Sequence, residues 1–289
     1  MPVTVGAWEH PRGLSGIYSR MADQLYLSLW YPNFRTEALA PAVLGVLRQF
    51  SVIGAVPGEA PLVNAATVYP IDWSETPVYE RIYDLEPGRK GVSEQLLEEE
   101  TRLASPVLAV PAAFEQLHED FGYEFEIAWL LWQPEGTDLD GNRDRSRDRS
   151  RDGSRSAGGP TAGQNGSDAR QSGPDAGHSG PDTGQAGLDA VWAEQPARVL
   201  VTGFGPQFDE GTYEMSGQVR IAFGLDTPFL QEEVALDAEG AHYVRRNVAR
   251  LVALVRAIEK NCGISSRLLW SESGESLAEK LIARLQQVN

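Results

Sequence analysis

The chain contains a single cysteine, Cys262, in 289 residues. One thiol excludes an intramolecular disulfide and any cysteine-rich zinc site. Histidine is almost as scarce, with four: His10, His118, His178 and His242. No two of these stand at the short intervals that metal-ligand pairs use. His118 alone has acidic company, in Glu115-Gln-Leu-His118-Glu119-Asp120, and an exposed helix end accounts for that cluster better than a ligand set does. No apolar stretch reaches the roughly 18 residues of a membrane span. The first twenty residues have no apolar run suited to a signal peptide. The cytoplasm is therefore the expected location, with residues 1–20 expected to be a tail and Met21 an alternative start. Basic charge is also short, with 25 Lys and Arg against 41 Asp and Glu, for a net charge of -16. That balance repels phosphate backbones and anionic membranes, so neither nucleic acid nor membrane is expected as a partner.

The acid excess is concentrated in the first half. Residues 1–134 hold 18 acids against 8 bases, a net of -10, whereas residues 197–289 hold 12 against 10. A protein with a basic patch would find its complement in the first half, although a solvated acidic surface is the plainer meaning.

What the chain does have is a segment unlike the rest. Residues 135–196 open with Arg143-Asp-Arg-Ser, repeated from Arg147 and again, as Arg151-Asp-Gly-Ser, from Arg151. Sevens follow, with GPTAGQN from Gly159, GSDARQS from Gly166, GPDAGHS from Gly173 and GPDTGQA from Gly180. A period of seven makes a coiled coil only when two of its positions are apolar. Gly, Pro and Asp recur here instead, and they bury too little to offset the entropy of ordering. The segment reads as a disordered insert between two α+β portions, residues 21–134 and 197–289. Loop-closure cost grows only logarithmically with length, so the second portion is able to complete the sheet of the first.

Period-2 alternation marks the strands. Gln24–Tyr31 sets Leu25, Leu27, Leu29 and Tyr31 on one face, with Tyr26 and Trp30 on the other. Residues 63–71 and 78–85 flank Asp72-Trp-Ser-Glu-Thr-Pro77, which has turn composition. Residues 123–132 and 197–204 border the insert, and residues 218–225 direct Val219, Ile221, Phe223 and Leu225 inward with Arg220 outward. Helices are expected at 35–50, 92–103 and after Pro111. The clearest is 238–261, where Val244, Val248, Leu251, Val255 and Ile258 form one stripe and Cys262-Gly263 ends the helix. A last helix begins at Ser276, which forms a capping box with Glu279. The fold class is thus α+β, a mostly antiparallel sheet with helices on one face. The order β-α-β-β-α-β of the first half is that of a ferredoxin-like unit.

Motifs for chemistry are few. Gly203-Phe-Gly205 follows a strand as a dinucleotide loop does, but the third glycine is missing and no helix start follows to hold a pyrophosphate. The string Val201-Thr-Gly-Phe204 is similar to the opening strand of pyroglutamyl peptidases. That similarity is confined to one strand, and no catalytic residue is carried over from it. No cofactor is implied.

Three constellations remain. Tyr79, Arg81 and Tyr83 share a strand face, and Tyr and Arg are residues on which protein interfaces depend; the competing meaning is core packing beneath helices. Glu124 and Glu126 share the polar face of their strand, where neighbouring carboxylates can raise one pKa and serve as acid and base. With Arg220 and the hydroxyls of Ser271, Ser273 and Ser276, they make the candidate site of a small-molecule hydrolase or ligand-binding enzyme. The function expected first is a non-enzymatic protein-interaction module. A cleft uniting Glu124, Glu126, Arg220 and the serine loop would favour the enzyme instead.

Overall fold

The computed structural model describes residues 23–53, 61–85, 93–135, 191–209, 212–230, 236–272 and 280. The expected tail, most of the insert and the helix expected from Ser276 lie outside these residues, Lys280 excepted.

Seven strands form one sheet: β1 (Gln24–Trp30), β2 (Val63–Pro70), β3 (Tyr79–Ile82), β4 (Phe121–Pro134), β5 (Trp192–Phe204), β6 (Val219–Leu225) and β7 (Ser266–Ser271). Their order is β3-β2-β4-β5-β6-β1-β7, with every neighbouring pair antiparallel. Longer helices are α1 (Leu39–Ile53), α2 (Glu94–Leu103), α3 (Pro106–Ala113) and α6 (Ala238–Asn261), with short turns of helix at α4 (Thr212–Ser216) and α5 (Thr227–Leu230). The fold is α+β, with an antiparallel sheet.

The chain order β-α-β-β-α-β is present in the first half, but its strands are not placed as in a ferredoxin-like unit. There β1 would lie between β3 and β4. Here β1 lies between β6 and β7, because β5 occupies the edge of β4 that β1 would need. β4 and β5 pair continuously from Gly122↔Phe204 to Pro134↔Trp192. The strand β5 thus starts at Trp192, inside the stretch whose composition suggested insert.

Alternation decides which face is buried. Leu25, Leu27, Leu29, Val219, Ile221, Phe223, Tyr123, Phe125, Ile127, Val199 and Val201 all point into one core. The helices meet them there. Leu39, Val43, Val46, Leu47 and Phe50 of α1 are buried, as is the whole α6 stripe of Val244, Val248, Leu251, Val255 and Ile258. Each such side chain contributes about 1.5–3 kcal/mol on leaving water. Asp237 caps α6 by accepting the Gly240 N–H at 2.6 Å, and Gly263, at φ +64°, turns the chain out past Cys262. In α3, Pro106 occupies the tolerated first turn, and Pro111 lies inside the helix near its end.

The two glycines of Gly203-Phe-Gly205 have packing roles. A Cβ on Gly203 would stand 2.7 Å from Val43 Cγ2 and 3.0 Å from Leu39 Cδ1, so its absence lets α1 settle on β5. A Cβ on Gly205 would stand 2.2 Å from the Glu119 carbonyl oxygen. Close approach by protein, and not by a phosphate, explains both.

Beyond Ile127, β4 has outrun its pairing with β2, which leaves a backbone edge to satisfy. The α6 helix supplies the partners. Buried Asn247 accepts the Trp132 N–H at 3.0 Å and donates to the carbonyls of Trp132 at 2.8 Å and Pro228 at 2.9 Å. Arg250 donates to the Leu130 carbonyl at 2.8 Å and pairs with Glu194. An amide thus takes the place of a neighbouring strand. Asn247→Leu keeps the volume but strands three backbone groups, and it is expected to cost about 2–4 kcal/mol. Urea unfolding monitored by circular dichroism measures this as a lower midpoint with unchanged slope.

Candidate functional site

The face of the sheet turned away from the core is not apolar. Register places one row across it: Thr67 beside Glu124, Glu124 beside Thr202, Thr202 beside Arg220, and Arg220 beside Ser28. A second row runs through Ala65, Glu126, Leu200, Ala222, Tyr26 and Trp270. Short residues, namely Thr202, Ala222, Thr67 and Ala65, therefore lie between longer side chains, and Thr202 is buried among them. Of the residues proposed from the sequence, Glu124, Glu126 and Arg220 meet here.

Aromatic rings enclose Arg220. Its guanidinium carbon lies 5.1 Å from the Phe204 ring centroid, 5.4 Å from Tyr26 and 5.9 Å from Trp73. Such contacts attract a cation by about 0.5–2 kcal/mol each. The rings are themselves fixed. Tyr26 stacks on Trp270 at 4.5 Å and donates its hydroxyl to Glu272 at 3.0 Å, while the Trp270 indole donates to buried Ser28 at 3.0 Å. Burial first, and then the Glu272 carboxylate, push the Tyr26 pKa up to about 12, so its hydroxyl stays protonated and remains a donor. Trp73 meets Phe204 and Phe208 edge-on at 6.0 and 5.1 Å. Phe208 fits because Gly122 has no Cβ, which would stand 2.7 Å from the ring.

The loop carrying Trp73 is held under strain. Ile71 adopts φ 63°, a left-handed conformation costly for a β-branched residue. It is held by two hydrogen bonds: its N–H donates to the Asp120 carbonyl at 2.8 Å, and its carbonyl accepts the Asp209 N–H at 2.7 Å. Three loops converge on this residue. Asp72 then accepts both the N–H and the hydroxyl of Ser74, which holds its carboxyl below the ordinary range.

The charges on this face are unequally satisfied. Glu126 pairs with Arg198 at 2.6 Å. Glu124 and Arg220 feel each other's fields without forming a hydrogen bond. Burial raises the Glu124 pKa above its ordinary 4.5, opposed by Arg198 and Arg220 and reinforced by Glu126. Burial also works against the charge of Arg220, while Tyr26, Glu124 and Asp209 support it; an arginine stays cationic regardless. Arg220 Nε is buried with no hydrogen-bond partner. Among the described residues four other side-chain atoms share that condition, on Tyr31, Glu100, Trp129 and Trp132, and none of them belongs to a cation.

The other candidates lie elsewhere. Ser271 is buried and paired with Leu25, on the helix side of the sheet, and Ser273 and Ser276 lie outside the described residues. Tyr79 and Arg81 oppose Val68 and Ala66 on the helix side as well. Arg81 reaches Glu100 of α2 and lies 5.0 Å from the Tyr83 ring, and Tyr83 is buried, with its pKa pushed up to about 12. This trio packs the α2 edge of the molecule. His118 contacts Asp120 at 3.3 Å, and among the described residues no cluster of three or more His, Cys, Asp or Glu could hold a metal. Nor is any helix of the described residues long and apolar enough to cross a membrane. Burial pushes the Cys262 thiol up to about 11, away from nucleophilic character.

Thr202, Phe204 and Phe208 were not among the sequence candidates. Alternation alone assigns Thr202 and Phe204 to one face of β5, but only the pairing register brings them between Glu124 and Arg220.

Two outcomes test this description. Because the Glu124 pKa is raised, its ionised form costs stability above the folded-state pKa, and the cost fades as pH falls towards 4.5. Glu124→Gln is therefore expected to melt above the parent at neutral pH, with the gain shrinking on acidification. Ile71→Gly releases about 1–2 kcal/mol of left-handed strain against about 0.5–1 kcal/mol of added chain entropy, and thermal melts are expected to show no loss of stability. Comparison with known proteins adds no assignment: no family model, no curated protein and no solved structure matches this chain.

Proposed function

We propose that this chain is a binding protein that takes a small ligand at the charged, ring-lined face of its sheet, beside Glu124 and Arg220. One observation carries the reading. Two oppositely charged, desolvated side chains stand two strands apart without hydrogen-bonding each other, beside aromatic rings that are locked in place. A partly buried charge lacking a partner is destabilising, and a sheet built only for stability would do better with an apolar residue at 220. Such costs collect where a site must be ready for something else. The geometry supports binding more directly than hydrolysis, since the serine arm of the hydrolytic arrangement finds Ser271 on the opposite face.

A protein-interaction role has its own support, away from Tyr79, Arg81 and Tyr83. Among the described residues β3 is an edge strand, with Ile82 exposed at 73% and Glu80 exposed, and Val78, just ahead of it, is exposed at 57%. A sheet edge with that pattern accepts an added strand, and the acidic residue suits a basic partner.

The test is to expose purified full-length protein to a metabolite extract, wash it, and identify retained small molecules by native mass spectrometry, in parallel with Arg220→Leu. A compound held by the parent and lost from the variant is expected. Retention of nothing, or equal retention by both while the variant remains folded, would contradict the assignment.

A further inference from the structure

Resting on the protein-interaction role of the β3 edge given above, we infer that this edge takes an extended segment of a different protein, laid antiparallel, in which a basic residue stands between two apolar ones at alternate positions.

The backbone sets the mode. The Tyr83 N–H donates to the Asn64 carbonyl at 2.9 Å, and Arg81 and Ile82 stand opposite Ala66 and Ala65. In an antiparallel ladder, a residue that exchanges hydrogen bonds with one neighbour alternates with a residue whose N–H and C=O point the other way. The groups of Arg81 and Tyr83 are thus turned to β2, and those of Glu80 and Ile82 point away from it. Among the described residues no strand lies on that side.

Side chains set the sequence of the guest. Glu80 and Ile82 oppose Thr67 and Ala65, on the face away from the helices, and both are exposed, as is Val78 ahead of them. An added strand places one residue directly opposite each, about 5 Å away. Apolar side chains opposite Val78 and Ile82 cover surface that these two leave in water, and a Lys or Arg opposite Glu80 meets its charge. On the helix face Arg81 already reaches Glu100 of α2 at 3.6 Å, so a small polar residue suffices there. The same helix exposes Glu94, Glu98 and Glu99, which adds to the field that draws in a basic segment.

A second copy of this chain does not fit. Three antiparallel registers between two β3 strands join the outward groups of Glu80 and Ile82 across a two-fold axis. The first sets Glu80 opposite Glu80. Another sets Glu80 opposite Ile82, which centres Arg81 on Arg81. The last sets Ile82 opposite Ile82, which brings Glu80 against Asp84. Each puts like charges directly opposite one another, a destabilising arrangement. The guest is therefore another chain, selected by its charge.

The experiment is a fluorescence-anisotropy titration of the full chain against a labelled peptide in which threonines alternate with valine, lysine and valine. Saturable binding is expected, and glutamate in place of that lysine is expected to weaken it about five-fold. Glu80→Lys, at an exposed position, is expected to reverse this order of preference. Ile82→Pro removes an outward N–H while leaving the pairing with β2 in place, and it is expected to weaken binding about ten-fold with an unchanged circular dichroism spectrum. N-methylation of the peptide's lysine, whose N–H the Glu80 carbonyl would accept, is expected to do the same from the guest's side. The inference is overturned if the glutamate peptide binds as well as the lysine peptide, or if Glu80→Lys keeps the parent's preference; weakening by Ile82→Pro and by N-methylation would then leave strand addition standing without its choice of a basic guest. Equal binding to parent and Ile82→Pro, undiminished binding of the methylated peptide, or no binding at millimolar concentration would remove strand addition and the inference together.

Discussion

The long pairing of β4 with β5 is the constraint on which the rest of the molecule depends. It joins the stretches on either side of residues 136–190 into one sheet, from Gly122↔Phe204 to Pro134↔Trp192. It also displaces β1 to the far side, between β6 and β7, and so sets the strand order of the whole sheet. Because β4 outruns β2, the pairing creates an exposed backbone edge, and the α6 residues Asn247 and Arg250 are placed to satisfy it. A slip of one residue in this register would turn one strand over against the other, sending Thr202 into the core and Val201 out of it while Glu124 and Phe125 kept their faces. The charged face and the core are two consequences of one pairing.

The two faces of the sheet serve different physical ends. Below, α1 and α6 press apolar stripes onto the strands, so closely over β5 that only glycine fits at 203. Above, the described residues place rings and charges over short side chains. Stability is gained on the first face and partly given up on the second, through desolvated charges at 124 and 220 and the left-handed Ile71. That division is expected where a rigid scaffold holds a binding surface.

Much of this was legible in the sequence, and the reasons are local. Strands with one apolar face announced themselves through Leu25, Leu27 and Leu29, or Val219, Ile221 and Phe223, since period-2 burial needs no knowledge of partners. The α6 stripe was equally plain, as was the outward direction of Arg220 and of Glu124 with Glu126. Strand order was not legible. The sequence order β-α-β-β-α-β is shared by different sheets, and which edge β5 would occupy is a non-local outcome. The same limit hid Trp73, Phe204 and Phe208, whose gathering over Gly122 depends on three loops meeting at Ile71. It also hid the direction of Tyr83, because a strand face carrying Tyr, Arg and Tyr looks the same whether a helix or solvent lies above it.

The account stands on Glu124 and Arg220 facing one another across Thr202 on a partly dehydrated surface. Following the Glu124 side-chain carboxyl by carbon-detected NMR through a pH titration, in the parent and in Arg220→Leu, tests this directly. The account predicts a Glu124 pKa above the ordinary 4.5 in the parent, and a further rise once the neighbouring cation is removed. A Glu124 that titrates at the ordinary value, or that titrates identically in both proteins, would contradict it.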